Sequence, residues 1–311
     1  MNSLGNIPEW LRNLNRNRNS KNWDEKTTNR APHKPFLLLS ILDGVEQGWV
    51  KTNNIELSQD LKDTFFSYWN PVMGGERNTS ISTPFTHLNS EPFWDLIDNN
   101  HAIIAEEFFS EMKSEKGRSK IREIILGEFF SADTADLLSE IVGANGEVWE
   151  YSIKADMLTG KPFQAFKKSD GKRVLTEKEI QKRDRGFSLN VRRHYDYHCA
   201  ICKSKILTPA GASLAEGAHI IPWSESYNDD PRNGLALCRN HHWMFDRLLI
   251  TVRKNFNIEI SPVLLKAENH LFRIENINGN TLLLPKNKRF FPAVEALQHH
   301  SDRFESYHKD L

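Results

Sequence analysis

Cys199-Ala-Ile-Cys202, then His219, Asn233 and the run Cys238-Arg-Asn-His241-His242-Trp-Met-Phe-Asp246, form the stretch whose spacing decides the fold. Two residues separate Cys199 from Cys202, and two separate Cys238 from His241. Short paired spacings of this kind, brought together by folding, supply four ligands for a tetrahedral zinc ion. The set uses all 3 cysteines of the chain. An odd number disfavours a disulfide framework and fits a reducing, cytoplasmic setting. Four protein ligands close a site, so the zinc expected here is structural, stapling a segment too short to hold itself together.

Zinc does not account for the rest of the window. His219 lies in Glu216-Gly-Ala-His219-Ile-Ile-Pro222-Trp223, an apolar, strand-like piece. Asn233 lies in the turn Asp229-Asp230-Pro231-Arg232-Asn233-Gly234. His242 and Asp246 stand four apart, so on a helix they share a face and can grip one cation together.

The order His219, Asn233, His242, interleaved with Cys199/Cys202 and Cys238/His241, resembles the HNH nuclease motif, and the segment from Asn233 to Asp246 is similar to the form in HNH restriction endonucleases. The resemblance implies a ββα-metal fold. His219 on the first strand would be the general base, Asn233 would fix the loop between the strands and orient the His219 ring, and His242 on the helix would bind a catalytic Mg²⁺ or Mn²⁺. Phosphodiester hydrolysis needs an activated water, which an imidazole titrating near neutral pH can provide. It also needs a cation to offset charge on the phosphate and the leaving oxygen. Many HNH enzymes carry Asp or His just before the base, where this chain has Ala218. The second metal ligand is therefore assigned to Asp246, with Glu216 as the alternative.

Outside this window, 311 residues suggest two domains at roughly 150 residues each. With 39% hydrophobic and 26% charged residues the chain is neither disordered, fibrous nor a disulfide miniprotein. The longest apolar run, Phe36 to Leu42, is too short to span a bilayer, and no charged segment followed by an apolar one marks a secretory signal near Met1. The 41 cations balance 41 acids, but unevenly. Arg12 to Lys34 carries net +5 and Lys161 to Arg193, which includes Arg192 and Arg193, carries +7, while Glu91 to Glu150 carries −9. A polyanion responds to such local fields rather than to the total, so both basic runs are candidate DNA contacts.

Periodicity gives a coarse map. Residues 1–30 read as a polar, loosely held arm. A helix starts at His33-Lys34-Pro35 and ends near Gly48. Another covers 57–69, with Leu57, Leu61, Phe65 and Trp69 four apart, followed by a turn-rich segment from Pro71 to Thr83. A helical region runs from Lys120 to Val142 with a break at Ser131-Ala132-Asp133-Thr134. Helical periodicity returns from Glu177 to Tyr195, after a basic connection with turn signals at Asp170-Gly171-Lys172. Four β-type runs follow Arg247: Leu248 to Val252, Asn257 to Ile260, His270 to Ile274 and Thr281 to Leu284. Asn278-Gly279 is a hairpin signal between the last two.

Two N-terminal pieces, His33-Lys34-Pro35-Phe36-Leu37-Leu38-Leu39 and Pro84-Phe85-Thr86-His87-Leu88-Asn89-Ser90-Glu91-Pro92-Phe93-Trp94-Asp95-Leu96, resemble the sulfur-binding domain of HNH restriction enzymes that cut phosphorothioate DNA. In that family a proline helps form a small apolar cavity for sulfur, and Pro84 is the matching position. Thr83 stands where the family often has Tyr. An apolar cradle favours sulfur because it is larger and less hydrated than oxygen. His33, Lys34 and Arg77 are candidate phosphate contacts, and Phe85 a candidate pocket residue.

The expected architecture is therefore α+β. A mainly helical or mixed N-terminal DNA-sensing domain (1–155) and a basic linker (156–186) precede a ββα-metal HNH nuclease domain with a structural zinc (187–311). The expected partner is double-stranded DNA carrying a modification, with no membrane. One active site cuts one strand at a time, which favours a homodimer or two successive visits. Two alternatives stay open: an N-terminal domain that reads a modified base or a plain sequence, and a zinc-stabilised DNA-binding protein without catalysis.

Overall fold

The structure is a computed structural model that describes residues 6–17, 23–74, 79–167, 176–208, 212–266 and 274–309. Arg77 and the Asp170-Gly171-Lys172 turn lie outside the described residues. The chain divides into two compact units, one built mainly by Met1–Glu147 and one by Val148–Leu207 with Ser213–Leu311.

The first unit contains α1 (Ile7–Arg12), α2 (His33–Glu46), β1 (Asn54–Glu56), α3 (Gln59–Met73), α4 (Ser82–His87), β2 (Trp94–Leu96), β3 (His101–Ile104), α5 (Glu106–Lys113) and α6 (Glu115–Phe129). The division falls inside α7 (Ala132–Leu158), after Glu147. Every α2 residue from Lys34 to Gly44 is buried, which is why its sequence is apolar all round rather than striped. Gly48, at φ +78°, follows the helix as its turn residue. α3 turns Leu61, Phe65, Trp69 and Val72 inward, and the Ser58 hydroxyl caps it by accepting from the Leu61 amide at 3.2 Å. The helix runs through Pro71 to Met73, further than periodicity suggests, because burial of Val72 offsets the bond Pro71 cannot make. In the antiparallel sheet β3 lies between β1 and β2, with Ala102 opposite Ile55 and Ile104 opposite Trp94.

The N-terminal arm is not loose where it is described. Ile7, Leu11 and Leu14 follow helical spacing and are buried in the same core as α2 and α6. Burial of those three side chains outweighs the polar composition around them. The arm's charge is engaged too: Arg12 Nε meets Glu128 at 3.0 Å, and the Arg16 guanidinium lies 4.4 Å from the Phe129 ring centroid.

The second unit contains α8 (Glu177–His194), β4 (Ala215–His219), α9 (Trp223–Ser226), β5 (Gly234–Cys238), α10 (Arg239–Asp246), β6 (Ile250–Val252), β7 (Ile258–Ile260), α11 (Pro262–Leu265) and α12 (Val294–His308). Residues 156–186, expected as a linker, include the end of α7 and the first turns of α8, which opens with a Thr176/Glu179 capping box. β4 and β5 pair antiparallel from Ala215↔Cys238 to His219↔Gly234, and α10 starts directly after β5. That is a ββα unit. α8 crosses the hairpin at close range: a Cβ on Gly217 would stand 2.6 Å from Ser188 Cα, and one on Gly234 would stand 2.5 Å from Val191 Cγ2. Gly217 admits the helix backbone at Ser188, and Gly234 admits the Val191 and Phe187 side chains.

The C-terminal β reading is corrected in part. β6 and β7 pair, but Thr281 forms only an isolated bridge to Asn257, and most of His270 to Ile274 lies outside the described residues. Among the described residues Asn278-Gly279 turns, with Gly279 at φ +78°, between a 3-10 helix at Ile274–Ile277 and the isolated bridge at Thr281 rather than between two strands. Its groups bind β7 instead: the Gly279 amide donates to the Ile258 carbonyl at 2.8 Å, and Asn278 Oδ1 accepts from the Ile260 amide at 3.1 Å. Among the described residues no helix is long and apolar enough to cross a membrane.

Two titratable groups in the first core carry opposite pH signs. His33 packs between Trp23 and Trp69, at 5.3 and 4.6 Å between ring centroids; burial, aided by His87, lowers its pKa to about 4. Its stabilising contribution is present above the unfolded value near 6.5 and is lost as pH falls toward 4. Asp43, pushed up to about 6 by burial against the pull of Tyr68, Arg122 and Asn145, does the reverse: its contribution is lost as pH rises through 6. Between pH 7 and pH 5 the wild type should lose about 2 kcal/mol more stability than His33→Phe, measured by chemical denaturation at both pH values. Asp43 is common to both proteins and cancels in the difference. Equal losses would show that His33 is not held neutral.

Candidate active site

Two clusters flank the ββα hairpin. The first is Cys199, Cys202, Cys238 and His241, whose ligand atoms all lie within 4.8 Å of one another. Cys199 and Cys202 come from the turn after α8, Cys238 ends β5 and His241 lies in the first turn of α10. His241 Nδ1 stands 3.4 Å from Cys199 Sγ and 3.0 Å from Cys238 Sγ. A tetrahedron with Zn–S near 2.3 Å and Zn–N near 2.0 Å has S···N edges of about 3.5 Å, so the donor set and spacing fit that ion. Hydrogen bonding among the thiols pushes Cys199 up and holds Cys202 well below the usual thiol range. Burial opposes charge on His241, but its bonds to Cys202 and Cys238 outweigh burial and raise it to about 9. All 3 cysteines are free thiols.

The second cluster lines a cavity of about 320 Å³ that includes His219, His242, Asp246, Trp223, His300 and Arg303. His219 ends β4. Its Nε2 lies 2.8 Å from Asp229 Oδ1, and its ring stacks on Phe187 of α8 at 3.7 Å and 5°. His242 Nε2 is 3.5 Å from Asp246 Oδ2, and its Nδ1 is 3.4 Å from Glu216 Oε2. Burial raises the Asp246 carboxyl above its ordinary pKa against the pull of His242, Arg247 and His219. Asp246 shares the cavity with His219. Glu216 lies on the other side of His242 and also meets Arg239 at 3.0 Å.

Asn233 is fully buried. Its Oδ1 accepts from the Ile221 amide at 3.0 Å, and its Nδ2 donates to the carbonyls of Ile221 and Asn228 at 3.0 Å each. It ties together the two ends of the loop between β4 and β5. The side chain that hydrogen-bonds the His219 ring is Asp229, within that loop, and not Asn233.

The remaining singled-out residues lie elsewhere. Pro84 and Phe85 are buried and Thr83 is exposed. Lys34 Nζ meets Glu91 Oε1 at 2.5 Å in a buried ion pair and Ser90 Oγ at 3.0 Å. Lys34 also borders a cavity of about 550 Å³ with Asn15, Asn17, Thr86, His87, Asn89 and Ser90. His33 is packed among rings, as described above. In the second unit Arg192 lies 5.6 Å from the Tyr197 ring centroid and Arg193 lies 4.3 Å from that of Trp149.

Sequence reasoning passed over Asp229, Tyr151 and Phe187. Asp229 was visible only as part of a turn, and Tyr151 and Phe187 stand 68 and 32 positions before His219 with no spacing to link them. The one local signal was the pair Asp229-Asp230 beside Asn233.

A family model described as HNH endonuclease matches residues 199–253. Among solved structures, one titled "Modification dependent TagI restriction endonuclease" is similar, with 19% identity and a TM-score of 0.29 over 38% of this chain and 36% of that one. The match thus spans little more than a third of that protein. No curated protein matches the chain. The paired strands, the following helix and the Cys3His cluster all fall within the matched segment or at its edge, and residues 199–253 are an HNH endonuclease domain.

Proposed function

We propose that this protein is a metal-dependent DNA endonuclease whose second unit hydrolyses phosphodiester bonds and whose first unit selects the DNA. The convergence of His219, His242 and Asp246 on one cavity, beside a buried Asn233 that braces the loop, carries the reading. His219 takes a proton from water as the water oxygen attacks phosphorus and the P–O3′ bond breaks. The products are a 5′-phosphate and a 3′-hydroxyl, the latter protonated from solvent. His242 and Asp246 hold the catalytic cation, with Asp246 preferred to Glu216 because it shares the cavity with His219. Mg²⁺ or Mn²⁺ bound there would offset negative charge growing on the phosphate and the leaving oxygen. The Cys199, Cys202, Cys238 and His241 set holds a structural zinc. A cytoplasmic setting suits these free thiols. Double-strand cleavage would use two copies or two visits.

For the first unit, the segments similar to a sulfur-binding domain contribute Lys34, Thr86, His87, Asn89 and Ser90 to one cavity. That supports recognition of modified DNA there, with phosphorothioate as the first candidate. Pro84 and Phe85 would act from beneath as buried supports, since both are packed in the core.

Three measurements test these assignments. With Mg²⁺ or Mn²⁺ the protein should cut plasmid DNA, and His219→Ala should lower the rate about 100-fold or more while DNA binding persists. A wild type that binds DNA yet leaves every modified and unmodified substrate uncut would leave only the zinc-stabilised binding protein. Metal analysis should find zinc in the wild type and none in Cys199→Ala, and that variant should lose the melting transition of the second unit, because structural zinc contributes about 10–16 kcal/mol. Retention of both zinc and transition would remove the structural assignment. Finally, phosphorothioate duplex should bind about tenfold or more tightly than cytosine-modified and plain duplexes. Equal binding to all three would end the sensing role.

A further inference from the structure

Loop residue Asp229 accepts from two directions. Its Oδ1 lies 2.8 Å from His219 Nε2, and its Oδ2 accepts the Tyr151 hydroxyl at 2.6 Å. Tyr151 belongs to the part of α7 in the second unit, and both it and Phe187 precede the segment matched by the family model. The carboxylate is nearly buried, and the loop is fixed on both sides of it. On one side, Asn228 Nδ2 donates to the Gln164 carbonyl at 2.9 Å, and the Asn228 carbonyl accepts from Asn233. On the other, Arg232 Nε donates to Asp230 Oδ1 at 3.0 Å and Arg232 Nη2 to Asp230 Oδ2 at 2.7 Å.

A carboxylate oxygen can only accept, so Nε2 must carry the proton in the neutral ring. The lone pair then sits on Nδ1, which takes part in no hydrogen bond among the described residues. We propose that Asp229, itself oriented by Tyr151, is a positioning residue that holds His219 in the Nε2–H form and so makes Nδ1 the nitrogen that accepts the water proton. This rests on the reading of His219 as general base. Burial and the neighbouring Asp229 raise the Tyr151 hydroxyl well above its usual range, so it stays a donor at any working pH. Asn233 then acts on His219 at one remove, by bracing the loop that carries Asp229. An aspartate that accepts from a histidine N–H to fix its tautomer plays the same part in serine proteases, where the isosteric amide reverses the tautomer.

Asp229→Asn keeps shape and burial but lets an amide N–H donate to Nε2, moving the ring proton to Nδ1. Long-range ¹H–¹⁵N spectra of the full chain with ¹⁵N-histidine should show His219 as the Nε2–H form in the wild type and the Nδ1–H form in Asp229→Asn. Cleavage of plasmid DNA, plain and phosphorothioate-containing, with Mn²⁺ should show kcat down about 100-fold in that variant with KM within about threefold. Tyr151→Phe, which removes only the outer hydrogen bond, should fold normally and lose about fivefold in kcat. A wild-type ring in the Nδ1–H form overturns the proposal without any variant. So does Asp229→Asn cutting at the wild-type kcat while His219→Ala is inactive, an outcome that leaves the general-base reading standing. Full activity of His219→Ala, by contrast, removes the general base and the positioning role with it.

Discussion

Successive side chains leave an α-helix about 100° apart, and on α10 that angle separates two candidate sites. His241 turns toward the three cysteines, and its neighbour His242 lines the cavity shared with His219 and Asp246. The cluster therefore does more than close a turn. It holds the first turn of α10 against β5 and the Cys199-Cys202 turn, which sets where His242 stands. The hairpin strands are only five residues each, too short to be stable alone. Close approach of α8 at Gly217 and Gly234 supplies the second support, and the same helix brings Phe187 under the His219 ring.

What could be read from the sequence was whatever is written in short spacings. The ligand quartet, the strand and helix positions of His219 and His242, and α3 and α8 follow from repeats of two to four residues, and α2 from an unbroken apolar run behind Pro35. The partners of His219 do not. Phe187 reaches the ring from α8 and Tyr151 reaches its partner Asp229 from α7, and no local pattern joins them. The docked N-terminal helix was legible in Ile7, Leu11 and Leu14, but composition drowned the periodicity. The hairpin expected at Asn278-Gly279 failed for another reason: a turn dipeptide specifies a reversal and not its partner, and here the reversal pairs with β7.

Charge runs were the weakest guide. A net count treats each cation as available, yet much of this charge is committed internally. Lys34 is engaged by Glu91, Arg12 by Glu128, and Arg16 and Arg193 by aromatic faces. In the second run Arg183 pairs with Asp184 and lies 3.7 Å from the Trp223 ring centroid. Stacked guanidinium groups keep their charge, so they still contribute to the field, but their geometry is set by the fold. Among the described residues, these cations therefore contribute to any field from positions that the fold sets.

Preorganisation links these features. A histidine free to rotate and to exchange its ring proton loses rate through disorder and through the wrong tautomer. His219 is restrained by stacking on its face, by a carboxylate at one nitrogen and by strand pairing of its backbone with Gly234. Asn233 restrains the loop between those anchors without touching the ring. The buried asparagine and the buried aspartate thus act in series. Asn233 fixes the backbone that carries the carboxylate, and Asp229 fixes the imidazole. Neither restraint works alone, because a carboxylate on a loose loop cannot hold a ring, and a rigid loop without an acceptor leaves the proton free to occupy either nitrogen.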